Sequence, residues 1–132
     1  MRNNQKIINY WLATAEHNYG TAKLLLRGKR YPECLFFCHL MIEKILKTIV
    51  AQRTKTQAPF THKLVDLAKL AKIELDAKQI DDLTTITEFN IASRYYEVKY
   101  NFYKKCTSSY TKKYFVICEK IYLWLKELYR QK

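Results

Sequence analysis

A chain of 132 residues has the size of one domain, here taken as 1–132, and can bury roughly two thirds of the surface it exposes when unfolded. Its 24 lysines and arginines against 12 acidic residues, a net charge of +12, raise the odds of a polyanionic or acidic partner. Two glycines, two prolines and no Asn-Gly or Asp-Gly pair argue against hairpins, and no apolar run nears the ~18 residues that a membrane span needs.

The charge is uneven: residues 1–55 carry ten basic side chains against three acidic ones, residues 99–132 nine against two, and residues 56–98 five against seven. Most of the lysines alternate with apolar residues at helical spacing, so a merely solvated face stands beside the polyanion reading. The opening MRNNQKIINYW lacks the apolar core of a signal peptide, and a cytoplasmic location is expected. Cys34, Cys38, Cys106 and Cys118 suit that compartment as reduced thiols. Cys34 and Cys38 lie one helical turn apart, as metal ligands can, but Leu35, Phe36 and Phe37 around them favour buried small hydrophobes. No metal site and no cofactor are expected.

In chain order, the first helix is expected from about Asn4 to Arg27, with Ile8, Trp11, Leu12, Ala15, Tyr19, Ala22, Leu25 and Leu26 on one side. Gly28 stands where a C-terminal cap is expected, before the basic turn Lys29-Arg30. The second helix starts near Pro32, with Glu33 at its positive end, and reaches Gln52 or Arg53. It is strongly apolar, with Leu35, Cys38, Ile42, Ile45, Leu46 and Ile49 at three-and-four spacing. His39, Glu43 and Lys47 form one row along it, four apart. So apolar a helix leaves little solvent face, and a buried Glu43 needs a cationic partner; from elsewhere in the chain that partner is expected to be Arg94, with Lys47 or a tyrosine hydroxyl as alternatives.

A polar linker, Thr54 to Pro59, leads to a short third helix, Lys63 to Ala71, capped by Thr61 and presenting Leu64, Leu67, Ala68 and Ala71. Asp76 with Gln79 resembles a capping box opening a fourth helix that runs to about Ala92. From Ser93 to Cys106 the periodicity breaks down in SRYYEVKYNFYKKC. Thr107 or Ser108 then caps a last helix reaching Arg130, with Tyr110, Tyr114, Ile117, Cys118, Ile121, Trp124, Leu125 and Leu128 as its stripe. The fold class expected is all-α, an up-and-down bundle of four or five helices.

Three blocks along the chain carry a family resemblance. The start of the first helix with Tyr31, Phe36, His39, Glu43, Lys44 and Lys47 forms the first, which looks like a Phe-x-x-Gln-x-x-x-Glu-Lys-x-x-Lys stretch with histidine in place of glutamine. Thr61-His62-Lys63-Leu64 with Leu67 is similar to a Thr-His-x-Leu-x-x-Leu element, and Ser93-Arg94-Tyr95 to an Arg-Tyr-Pro turn with Tyr96 in place of proline. In this order the chain resembles HEPN domains, small helical proteins found in prokaryotes beside minimal nucleotidyltransferases. The resemblance implies a helical bundle that forms a homodimer, with a polar cleft at or near the seam. It also implies a separately encoded minimal nucleotidyltransferase as partner, in a toxin–antitoxin or nucleotide-handling pair.

RNase members of that family are known by an arginine followed by a histidine, with four to six residues between them. Here Arg94 is followed at those positions by Lys99, Tyr100 and Asn101. An ordinary lysine, with a pKa of about 10.4, is a poor proton shuttle at neutral pH. His17, His39 and His62 lie elsewhere and would need the fold to bring one beside Arg94. No catalytic residue is assigned, and a non-catalytic module is expected that binds a nucleotide, single-stranded RNA or a partner loop. Its candidate residues are Arg94, Tyr95, Tyr96, Lys99, Glu43, Lys47 and His39, where a guanidinium and aromatic faces suit phosphate and base. The same residues equally suit a clamp at the edge of the core. His39 is expected to make a buried hydrogen bond, with Glu43 one turn on or otherwise, ahead of acid–base work by that pair, and His62 to cap the third helix or bond to backbone, ahead of a ligand role. An RNase with a relocated site and a purely structural dimerisation subunit are the alternatives. The family also suggests one of Tyr95, Tyr96, Tyr100 and Tyr103 as a target for nucleotide transfer by the partner.

Overall fold

The computed structural model describes residues 2–56, 58, 60–92 and 94–131, and every regular element among them is helical. Ser93 of the third block, and Gln57 and Pro59 of the linker, lie outside the described residues. The helices are α1 (Arg2–Arg27), α2 (Tyr31–Thr54), α3 (Leu64–Leu70), α4 (Ala77–Thr87), α5 (Tyr96–Lys105) and α6 (Ser108–Gln131).

Helix α2 is the axis of the molecule. Leu35, Cys38, Met41, Ile42, Ile45, Leu46 and Ile49 are all fully buried, and the other helices pack round it. The short connection through Gly28 folds α1 back along α2 as a helical hairpin, burying Ile8, Ala15 and Ala22 from the expected stripe. Helix α6 adds Phe115, Cys118, Ile121, Tyr122 and Leu125. Its direction follows from its contacts. Cys118 meets Cys38, and the Gln52 amide donates to the Tyr129 carbonyl at 2.9 Å, so α6 runs the same way as α2. The bond from the Tyr19 hydroxyl to Glu119 and the pairing of Lys126 with Glu16 at 3.4 Å set α6 antiparallel to α1. The shorter helices between α2 and α6 form the return arm of the bundle.

Local chemistry sets the ends. The Asp76–Gln79 capping box forms as expected, with the Gln79 N–H on Asp76 Oδ1 at 2.7 Å and Gln79 Oε1 accepting from the Asp76 N–H at 2.9 Å. Thr107 accepts from the Tyr110 N–H at 3.2 Å at the start of α6. Three expectations change. The left-handed residue after α1 is Lys29 (φ 60°) rather than Gly28, whose N–H still closes a helical bond to Leu24. Thr61 reaches only the Lys63 N–H, and α3 starts one residue later, its Leu64 N–H capped from a distance by the Thr87 hydroxyl at 3.2 Å. Helix α4 stops at Thr87 instead of about Ala92, because Phe89 turns into an aromatic cluster with Phe102, Tyr110 and Tyr114.

The stretch where the periodicity fails holds an additional helix, α5. It buries no residue fully and leans on the core mainly through Phe102, whose ring lies 5.6 Å from that of Phe89. A helix without a buried stripe leaves no helical pattern of apolar residues to read.

Candidate functional site

The polar row of α2 is built into the core. Glu43 is fully buried, and its two oxygens are saturated with cations and imidazoles: Oε2 takes Lys47 Nζ at 2.8 Å and Lys44 Nζ at 3.2 Å, while Oε1 takes His62 Nδ1 at 3.0 Å. His39 Nε2 stands 3.7 Å from Oε1. Burial alone would push this carboxyl up, but the bonds from His62 and Lys47 and the charges of Lys44 and Lys47 win and bring it down to about 2. Glu43 is therefore a carboxylate throughout the neutral range. Lys44 and Lys47 also lie over the Trp11 ring at 5.2 and 4.8 Å, so α1 closes the far side of the network.

The row's second product is a fixed histidine in the segment before α3. The His62 backbone carbonyl lies 3.3 Å from His39 Nε2, and because a carbonyl only accepts, His39 donates from that nitrogen. Burial pushes the His39 imidazole down to about 4, so it is neutral at pH 7. One turn on, Glu43 holds the His62 ring. Main chain and side chain of His62 are thus both gripped from α2, while 48% of its side chain stays exposed, with Phe60 edge-on at 6.0 Å. An ionised Glu43 only accepts, so the His62 Nδ1 carries the proton and Nε2 is left for solvent or a ligand.

His62 lines a recess of about 370 Å³ with Phe60, Thr61, Lys63, Thr87, Asn90 and Arg94. A second recess of about 320 Å³ abuts it, sharing Lys63, Thr87 and Arg94 and adding Asp66 and Glu88. The early end of α4 shapes both: the Arg94 N–H bonds to the Ile91 carbonyl at 3.1 Å, and its side-chain Nε donates to the Asn90 carbonyl at 3.3 Å. That anchor uses only Nε, and among the described residues no carboxylate pairs with the guanidinium. Volumes of this order suit a small polar ligand, and Arg94 with Lys63 favours an anion.

The expected residues separate into three places. Glu43, Lys47 and His39 form the buried network that orients His62. Arg94 stands in the recess, bonded to Asn90 and not to Glu43; the expected Arg94–Glu43 pair does not form, because Lys44, Lys47 and His62 already occupy the carboxylate. Lys99 lies with Glu33, Phe36, Ile91, Ala92 and Tyr103 in a separate recess of about 190 Å³. Tyr95 and Tyr96 are exposed. Sequence reasoning passed over Phe60, Lys63, Thr87 and Asn90 as lining residues, and placed a structural role for His62 ahead of a ligand role. The signal that could have found His62 was a buried acid on α2 beside a Thr-His element with no partner assigned.

Among the described residues, no group of three His, Cys, Asp or Glu side chains is placed to hold a metal ion, and no helix is long and apolar enough to cross a membrane. Burial pushes up the Cys106 thiol, and S–H···S hydrogen bonds among the free thiols, with burial added, raise those of Cys34 and Cys38. A family model described as HEPN domain matches residues 8–128. No curated protein matches the chain. Among solved structures, the fold is similar to that of TT1696 from Thermus thermophilus, with a TM-score of 0.72 and 19% sequence identity over 91% of this chain and 96% of that one.

Proposed function

This chain belongs to the HEPN domain family, and from that premise we propose that it is a non-catalytic module whose recess at Arg94 binds the phosphate of a nucleotide or an RNA segment. The observation that carries this reading is that Arg94, Lys63 and the ring of His62 line one recess. An excess of basic over acidic residues across the chain supports a phosphate-bearing ligand. The family's association with separately encoded minimal nucleotidyltransferases supports a partner of that class, in a cytoplasmic toxin–antitoxin-type pair. A homodimer through the outer faces of the long helices fits the exposure of Tyr10 and Leu24 on α1 and of Val116 and Leu123 on α6.

Calorimetric titration with adenosine and uridine 5′-monophosphates tests the recess. Charge-assisted bonds to phosphate contribute about 1.5–3 kcal/mol each, so Arg94→Ala is expected to weaken binding about tenfold or more with the fold intact. Equal affinity in the variant would refute the site.

One observation favours a second reading, phosphodiester cleavage: the fold brings an imidazole, oriented by a buried carboxylate, into the Arg94 recess. Cleavage by proton transfer uses both a base and an acid; among the described residues no second imidazole lines that recess, and the carboxyls of Asp66 and Glu88 line the abutting one. Binding is therefore the primary reading. Hydrolysis of single-stranded RNA by the wild type, lost in His62→Ala, would reverse the order.

A further inference from the structure

Helix α5 contributes little to the core, yet it displays exposed tyrosine rings along its outward side. Tyr96 and Tyr100 are 79% and 63% exposed and stand four apart, so their rings share one row. Phe102, which docks the helix on Phe89, projects from the opposite face. A cation edges the row, with Lys104 Nζ 4.8 Å above the Tyr100 ring, while Lys105 follows on the other side of the helix, 5.4 Å from the Tyr110 ring. Tyr95, 85% exposed, joins α5 directly to Arg94.

An occupant of this face has to offer flat apolar surfaces and negative charge together. A second copy of the chain, docked symmetrically, would set these lysines against their own equivalents. An acidic peptide would satisfy the lysines and leave the rings unmatched. A single strand of nucleic acid satisfies both, by stacking bases on aromatic rings and tracking its phosphates along lysines.

We propose that the Tyr96–Tyr100 face of α5, with Lys104 at its edge, is a stacking rail for single-stranded nucleic acid that continues from the Arg94 recess. This rests on the reading of that recess as a phosphate site and extends it: the ligand is a strand, and its bases are held by stacking without sequence readout.

The test is fluorescence anisotropy with a labelled oligouridylate of about twelve nucleotides, a length within the range such sites cover, alongside uridine 5′-monophosphate. Tyr96→Ala/Tyr100→Ala is expected to weaken oligonucleotide binding about tenfold or more and to leave the monophosphate affinity unchanged, whereas Tyr96→Phe/Tyr100→Phe keeps both. Binding in the wild type is expected to fall steeply with added salt. An oligodeoxythymidylate arm tells an RNA ligand from a DNA one, and tight binding of either supports the rail. Undiminished binding by the alanine pair overturns the proposal. So does an oligonucleotide affinity no better than that of the monophosphate, although the Arg94 recess then survives. If the alanine pair loses the strand while Arg94→Ala keeps it, the rail stands and the recess reading falls. Loss in the alanine pair of binding to phosphatidylserine vesicles alone would assign the face to a membrane surface and overturn the proposal.

Discussion

Glu43→Ala is expected to destabilise the folded chain by about 3–5 kcal/mol, the usual cost of removing one partner from a buried ion pair. The carboxylate holds Lys47, which is almost buried, together with Lys44 and the ring of His62. Without it, two ammonium groups crowd the space under Trp11 with nothing to neutralise them. Urea denaturation at pH 7 measures the loss.

The same residue sets the acid limb of stability. Its carboxyl is lowered in the fold from 4.5 to about 2, so its contribution is complete above pH 4.5 and is lost as pH falls towards 2. The neutral buried ring of His39 adds a second, higher window. Between about pH 6.5 and 4 the unfolded chain takes up a proton that the folded one refuses, and stability falls with pH there as well. In Glu43→Ala the decline between pH 4.5 and 2 should be largely absent. An unchanged acid limb, or a loss of stability under about 1 kcal/mol, would mean that the network does not contribute as described.

Tyr122→Ala is the second large effect, expected at about 3–5 kcal/mol because it empties the space of a ring enclosed between α1, α2 and α6. Tyr122 is fully buried, and its ring packs at 5.0 Å against that of Tyr19. The hydroxyl is not what matters. No side chain or carbonyl among the described residues bonds to it, and burial pushes its pKa up to about 12. Tyr122→Phe should therefore stay within about 1 kcal/mol of the wild type. Thermal or urea unfolding of the two variants separates ring volume from hydroxyl. Comparable losses in both would show that the hydroxyl is the important group.

What could be read in advance was whatever repeats locally. The stripes of α1, α2 and α6 follow from apolar residues meeting one core at helical spacing, and the Asp76–Gln79 and Thr107 caps follow from side chains bonding within three residues. Lys47 as a partner of Glu43 was legible too, since both lie on one helical row. Long-range partners were not. His62 reaches Glu43 only because the Thr87 hydroxyl and the His39 ring tie its segment against α4 and α2, and neither tie leaves a periodic trace. Arg94 was expected to pair with Glu43, but the sequence does not reveal that cations on the acid's own helix have already claimed it. Helix α5 escaped because its outward face is as aromatic as its inward one.

The fold gathers Lys63, Thr87, Asn90 and Arg94 around a His62 held by Glu43, and binding of a phosphate in this recess is the proposal on which the rest depends. Its most direct test is a two-dimensional ¹⁵N–¹H NMR titration of the labelled protein with uridine 5′-monophosphate, followed at the backbone amides and the His62 ring. Saturable shifts are expected, centred on residues 60–63, 87, 90 and 94, with the His62 ring resonances moving on the same curve. Saturable shifts centred elsewhere, or no shift at millimolar nucleotide, would contradict it.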